Sequence, residues 1–302
     1  MRLMMTHTLI ATGIMLASSS VFAAVAVEKE LNVMVSELAS AQDKSVQLIE
    51  KGDIQAAMIA NEASLGISSR KWLDSEMALF ENKFGYRPVQ IFFTYDAVSI
   101  LVNKDNPVRA MTMGQLKQIF GCQDSPQKLD WRQLPDHQNE DFSTAVPYAV
   151  SGELDTHLNF SKLVDCGSEQ YLATQFLSSH DEMNDKIRRD INAIGYSVLP
   201  DVPDDLKRIA ILDDRGKAFT IDPETVLSGR YPLANVYFLS LNIPPKQKGL
   251  TSEQQQLVDL TFNQDNQSII EKHGFLPLPE EAVHRNQVKL KQVLPMVVGG
   301  YK

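Results

Sequence analysis

The run from Gln90 to Val102, QIFFTYDAVSILV, is rich in aromatic and β-branched residues and holds no proline or glycine. As one strand it would reach about 40 Å at roughly 3.3 Å per residue, far beyond the usual five or six residues. Its character changes midway, aromatic from Phe92 to Tyr95 and aliphatic from Val98 to Val102. A strand of that length and composition suits a chain that passes from one domain into another. On that reading, the residues between this crossing and a return near Gly195 form an inserted domain, and the two ends of the chain complete the first.

Short β-rich runs alternate with helical stretches along the rest of the chain, which points to α/β architecture. Strands are expected at Leu31 to Val35, Ala56 to Ile59, Ala145 to Val150, Ile194 to Leu199 and Val236 to Asn242. Helices are expected from Ser45 to Glu50 before Gly52, from Asp74 to Lys83 before Gly85, and from Thr112 to Gly121. Further helices are expected at Glu153 to Leu163, Glu169 to Ser178, Asp181 to Arg189, Ser252 to Lys272 and, as an appended amphipathic segment, Glu280 to Leu294. With 43% hydrophobic residues, a mature chain of about 280 residues can bury one large core or two medium ones.

Residues 1–23 read as an exported leader. Arg2 supplies a positive start, Leu9 to Leu16 an apolar core too short to span a bilayer, and Val21-Phe22-Ala23 a cleavage site. Removing them leaves 28 basic residues against 38 acidic ones, a formal charge of −10. That balance argues against nucleic acid or an anionic membrane as partner, and no later stretch is apolar enough for an integral membrane segment. In an oxidising compartment, Cys122 and Cys166 form a natural disulfide pair, worth about 4 kcal/mol for a loop of 44 residues. Two buried free thiols are the alternative. Neither cysteine has a second ligand at metal spacing, so no metal and no cofactor is expected.

The segment SLGISSR, Ser64 to Arg70, places a glycine, two hydroxyls and an arginine directly after an apolar run, the composition of an anion-holding loop. Its bland reading is a strand-to-helix turn whose serines cap the next helix and whose arginine is paired at the surface. Enzymatic chemistry finds little support. There is no G-x-S-x-G, and the six histidines form no spaced ligand set. His157 near Ser151 reads as a surface helical histidine, because a base must meet its nucleophile in space and be oriented by a third group. The acidic clusters Asp201 to Asp205 and Asp213-Asp214 do not follow a calcium-loop pattern. Arg188-Arg189 reads as a charged helix end.

Several pieces, in order over most of residues 31–279, resemble the periplasmic substrate-binding proteins of phosphate ABC transporters. They are GISSR at 66–70, YDAVSILVNKDNPV at 95–108, MTMGQLKQIFGC at 111–122, VSGE at 150–153, NAIGYSVL at 192–199, GRYPLANVYFLSLN at 229–242 and FNQDNQSIIEKHGFLPLP at 262–279. The resemblance implies a two-lobed type II periplasmic binding protein-like fold with crossing strands and an interlobe cleft. It implies lobe 1 from residues 24–95 plus 196–279, lobe 2 from residues 96–195, and a C-terminal helical extension over 280–302. It also implies a non-enzymatic, periplasmic or secreted protein that binds inorganic phosphate or a similar oxyanion and touches ABC permease subunits transiently.

The implied ligand-binding residues are Ser68, Ser69 and Arg70 in the first lobe, Asp96 on the crossing strand, and Ser151, Gly152 and Glu153 in the second. Arg70 would either touch the anion or hold its loop. Asp96 would either accept a proton from the ligand or serve as a hinge residue. The chain departs from the family pattern in three places. Pro147 to Val150 stand where an arginine is expected before a Ser-Gly-Thr helix start, with Glu153 in place of the threonine, and Asn235 replaces the arginine after YPL. The stretch before GISSR also reads as too short for two β-α units, so a first unit is expected to be missing, with the Ser36 to Ser45 loop as a weak substitute. A non-transport descendant of the fold, acting as sensor, adhesion or scaffolding protein, is the rival expectation.

Overall fold

The computed structural model describes residues 24–44, 46–120, 128–151, 160, 164, 174–198 and 202–295. The chain begins with β1 (Val25–Val27), α1 (Lys29–Ala41), β2 (Leu48–Glu50), α2 (Ile54–Ala60) and β3 (Leu65–Ser68), followed by α3 (Asp74–Phe84). The first β-α unit expected to be missing is therefore present, and two units, built from unusually short pieces, precede β3. Leu31, Met34, Val35 and Leu38 repeat at helical spacing and are all buried, whereas Val33 on the far side of α1 is 67% exposed. Leu31 to Val35 is helix rather than strand. Leu48 to Glu50 is strand rather than helix, and Ala56 to Ile59 lies in α2, whose first turn is capped by Asp53 accepting from the Ala56 N–H at 2.9 Å. Ser36 and Ser40 belong to α1, with the Ser40 hydroxyl donating to the Ser36 carbonyl at 2.8 Å, so they form no loop. Ser45 lies outside the described residues.

Strand β1 pairs in parallel with β2 on one side and β3 on the other. Alternation along β1 sends Val25 and Val27 to the face covered by α1 and Ala26 to the face covered by α2. Gly66 in β3 lets α2 approach. A Cβ there would collide with Ile54 Cγ2 and stand 2.8 Å from Met58 Sδ.

Strand β4 (Val89–Val102) carries the crossing legible in the sequence. After it come β5 (Ala110–Thr112), α4 (Met113–Phe120), β6 (Val146–Val150), β7 (Gln175–Leu177), α5 (His180–Arg189) and β8 (Ala193–Val198). Two short strands, β9 (Lys207–Arg208) and β10 (Ala210–Leu212), lead to β11 (Ala218–Phe219), α6 (Pro223–Leu227) and β12 (Ala234–Leu241). The first part of β4, Val89 to Ala97, pairs antiparallel with β12, and the second, Val98 to Val102, pairs antiparallel with β8. One strand thereby joins two half-sheets in the order β2-β1-β3-β12-β4-β8-β6-β7 among the described residues.

The second half-sheet repeats the logic of the first. β6 pairs in parallel with β7 and with β8, and α5 lies over β8 at Gly195, where a Cβ would stand 2.9 Å from both Ile187 Cδ1 and Met183 Sδ. The sequence reading set the return crossing near Gly195. The chain instead stays with the second core well past that point. β10 pairs with β5, while Phe219, Val226, Tyr231 and Leu233 pack with Phe120 and Trp131. The chain rejoins the first half-sheet at β12.

The C-terminal part spans both cores. Helices α7 (Ser252–Phe262) and α8 (Gln267–Lys272) supply Leu257, Val258 and Ile270 to the first. Helix α9 (Glu280–Lys289), shorter than the segment expected to reach Leu294, supplies Ala282 to the second. The pairing of β4 with β12 slips by one residue between Tyr237 and Phe238, leaving Phe93 as an extra residue in β4. Beside this bulge, buried Asn286 of α9 serves both main-chain groups of Phe92, accepting at 2.9 Å and donating at 2.8 Å.

Candidate functional site

In open α/β sheets, ligands bind beyond the carboxyl ends of the strands, where the strand order reverses. The order β2-β1-β3 makes such a point between β1 and β3. The residues that emerge there are Glu28 after β1 and Ser69 after β3, with Lys51 following β2. The order β8-β6-β7 makes a second such point at the end of β6, from which Ser151 emerges.

The three first-lobe residues singled out in the sequence lie in one loop but differ in what they leave available. Ser68 is fully buried. Its hydroxyl donates to the Arg70 carbonyl at 3.0 Å and accepts from Gln55 Nε2 at 3.1 Å. Gln90 Nε2 donates to the same carbonyl at 3.3 Å. Arg70 forms a two-pronged pair with Glu76, at 2.8 and 2.7 Å, and stands 3.5 Å from Asp53. Of the two roles open to Arg70, the geometry here is the loop-holding one. The hydrogen bonds from its guanidinium hold the Glu76 carboxyl below its ordinary range, and Glu76 also caps α3 by accepting from the Leu73 N–H at 2.9 Å.

Ser69 is exposed, and its backbone N–H donates to Glu28 Oε1 at 3.0 Å. The loop thus already holds an oxyanion, supplied by the protein itself. A cavity of about 550 Å³ opens at this point, lined by Glu28, Lys29, Glu30, Lys51 and Ser69 among others. Glu50, another lining residue, accepts from Asn32 Nδ2 at 2.6 Å, and Lys51 is paired with Glu62 at 2.6 Å.

Asp96 is 1% exposed on the crossing strand. Its Oδ1 accepts from the backbone and side-chain amides of Asn235, at 3.2 and 3.0 Å, and its Oδ2 accepts from the Tyr237 hydroxyl at 2.9 Å. Burial and the neighbouring Asp96 charge push the Tyr237 hydroxyl well above its ordinary pKa. Asn235, which replaces the arginine expected after YPL, is thus tied to the crossing strand. Ser151 is exposed, and both its N–H and its hydroxyl donate to the Leu177 carbonyl, at 2.8 and 3.0 Å. Gly152 and Glu153, like Cys122 and Cys166, lie outside the described residues.

Sequence reasoning missed Glu28, Gln55 and Glu76. The signal for Glu76 was available, since an acid six residues after Arg70 in the first turn of a helix is a natural partner. Glu28 is 41 residues from Ser69. It becomes visible only once VAV at 25–27 is read as a strand next to β3.

Comparison with known proteins agrees with this architecture. The phosphate-binding protein PstS of Pseudomonas aeruginosa is 28% identical over 237 residues, spanning 76% of this chain and 72% of that protein. The PstS of Staphylococcus haemolyticus is 27% identical over 234 residues, 76% and 70% of the respective chains. Among solved structures, a possible phosphate binding protein from Planctomyces limnophilus superposes with a TM-score of 0.67 at 16% identity, covering 91% of this chain and 99% of that one. PstS from Borrelia burgdorferi gives 0.58 at 16% identity, covering 85% and 99%. These neighbours are two-lobed periplasmic binding proteins, and the present fold is of the same mixed α/β kind. The family model described as PBP superfamily domain matches residues 17–255, well over half of the sequence, and the chain belongs to that superfamily.

Proposed function

We propose that this chain is an exported oxyanion-binding protein, with phosphate or a close chemical relative as ligand, that delivers its cargo to an ABC permease without catalysing a reaction. The observation that carries this reading is the Ser69 N–H, which holds a carboxylate oxygen at the β1/β3 switch point. A donor so placed suits the oxygen of a bound anion equally well. The names of the relatives support phosphate as the ligand class. Ser69 and Ser151, at the carboxyl ends of the two half-sheets, are the proposed contacts, with Gly152 and Glu153 beside Ser151 and Asp96 at the hinge. Export rests on the leader at 1–23. Cleavage after Ala23 leaves β1, which begins at Val25, intact. A Cys122–Cys166 disulfide follows from the same compartment, and mass mapping of the non-reduced protein tests it.

Arg70 is engaged by Glu76, and no arginine stands at 147–150, directly before Ser151. Losing charge-assisted bonds of about 1.5 to 3 kcal/mol each weakens binding by roughly one to two orders of magnitude per bond. Calorimetry of the mature, ligand-stripped protein against phosphate, sulfate and phosphonates should therefore give a phosphate dissociation constant well above micromolar. The self-occupied loop also favours a second reading, a descendant of the fold that no longer transports. No heat at millimolar phosphate would select it, and submicromolar affinity would overturn the weakened cradle.

A further inference from the structure

We propose that Glu28 is a built-in competitor for the oxyanion site and sets how weakly that site binds its ligand. The inference rests on the oxyanion-binding reading above and names the residue that tunes it. Glu28 stands directly before α1, where an acidic side chain ordinarily turns back to the helix's own first N–H groups. Its side chain makes no such cap bond. It reaches instead across the β1/β3 switch point to the Ser69 N–H at 3.0 Å. Because that hydrogen can be given fully to only one anionic oxygen, an incoming oxyanion at this loop must displace the carboxylate.

The surroundings allow the exchange. The adjoining cavity, about 550 Å³, has room for a tetrahedral oxyanion beside a displaced side chain. Of the two lysines that line it, Lys51 is held by Glu62, whereas Lys29 is exposed and has no ion pair among the described residues. Lys29 can therefore follow the anion as it takes the place of Glu28. The Ser69 hydroxyl, also exposed, lies on the same loop. Glu30 and Glu50 remain at the cavity wall, so removing Glu28 relieves the competition without making the site cationic.

The test is calorimetric titration of the mature protein and of Glu28→Ala and Glu28→Gln with inorganic phosphate, with thermal unfolding as the fold control. Glu28→Ala is expected to tighten phosphate binding by roughly tenfold or more, the range of one charge-assisted hydrogen bond. Glu28→Gln, which keeps an acceptor but loses the charge, should tighten it less. Without ligand, the Ser69 amide proton resonance should move to lower frequency in Glu28→Ala, as its charged acceptor is lost. Unchanged or weaker binding in both folded variants, with clear binding by the parent protein, overturns the proposal and leaves the oxyanion reading standing. Silence from all three proteins at millimolar phosphate overturns both.

Discussion

Gly66 in β3 and Gly195 in β8 occupy matching places in the two lobes. Each lies in the later strand of a β-α-β unit, under a helix that presents an isoleucine and a methionine four residues apart. The loops at the carboxyl ends of the two parallel sets are anchored differently. After β3, long side chains do the anchoring, with Glu28 on the Ser69 N–H, Gln55 and Gln90 on the Arg70 carbonyl, and Glu76 on the Arg70 guanidinium. After β6, the Ser151 donors go to the Leu177 main-chain carbonyl, which continues the β6–β7 ladder. The first lobe's loop can thus be retuned by point substitution, whereas the Leu177 acceptor belongs to the backbone and no substitution removes it.

The sharpest way to test the equivalence is to fill both glycines. At Gly66 the added methyl falls on Ile54 Cγ2, a branch methyl fixed close to the helix backbone, so Gly66→Ala should cost about 1 to 3 kcal/mol. At Gly195 the nearest atoms are the ends of flexible side chains, so Gly195→Ala should cost less, about 1 kcal/mol or below. Thermal or urea unfolding reads both. Equal costs would mean that the two helices sit with equal slack over their strands, contrary to this account.

A smaller effect is expected from Arg70. Its side chain is 41% exposed and its pair is screened, so Arg70→Ala should reduce stability by about 1 kcal/mol or less at neutral pH. The sign of the pH dependence follows from Glu76. Its pKa is lowered in the folded protein, so the pair contributes stability above the ordinary carboxylate range and loses it as pH falls through the lowered folded value. The difference in melting temperature between the parent protein and Arg70→Ala should therefore shrink in acid. A difference that persists there would assign the effect to packing of the arginine stem. The Ser151 loop has no corresponding pair among the described residues, and Ser151→Ala should show no such pH dependence.

From β4 onward, much of the described fold was legible, because β4, β6, β8 and β12 are strands of five residues or more, rich in β-branched and aromatic residues. The stretch from Val25 to Ala60 was not. β1 and β2 are three residues each, too short to show a period. Helix α1 carries Leu31 and Val35 on its buried face with Val33 between them, which imitates a strand. The site was half legible for a related reason. Ser68 to Arg70 stand out because their loop is continuous in sequence, but the identity of their partners depends on which strands are neighbours. That is why Glu28 was silent while Asp96, placed on the crossing strand, was not.

The central claim is that the carboxyl edges of the two parallel sets hold an oxyanion between them. A crystal structure of the mature protein grown in millimolar phosphate tests it most directly. The account predicts a tetrahedral anion within hydrogen-bond distance of the Ser69 N–H, next to the Ser151 loop, with the Glu28 carboxylate turned away from the N–H it holds here. An anion bound remote from both edges, or an unliganded cleft with Glu28 still on Ser69, would contradict it.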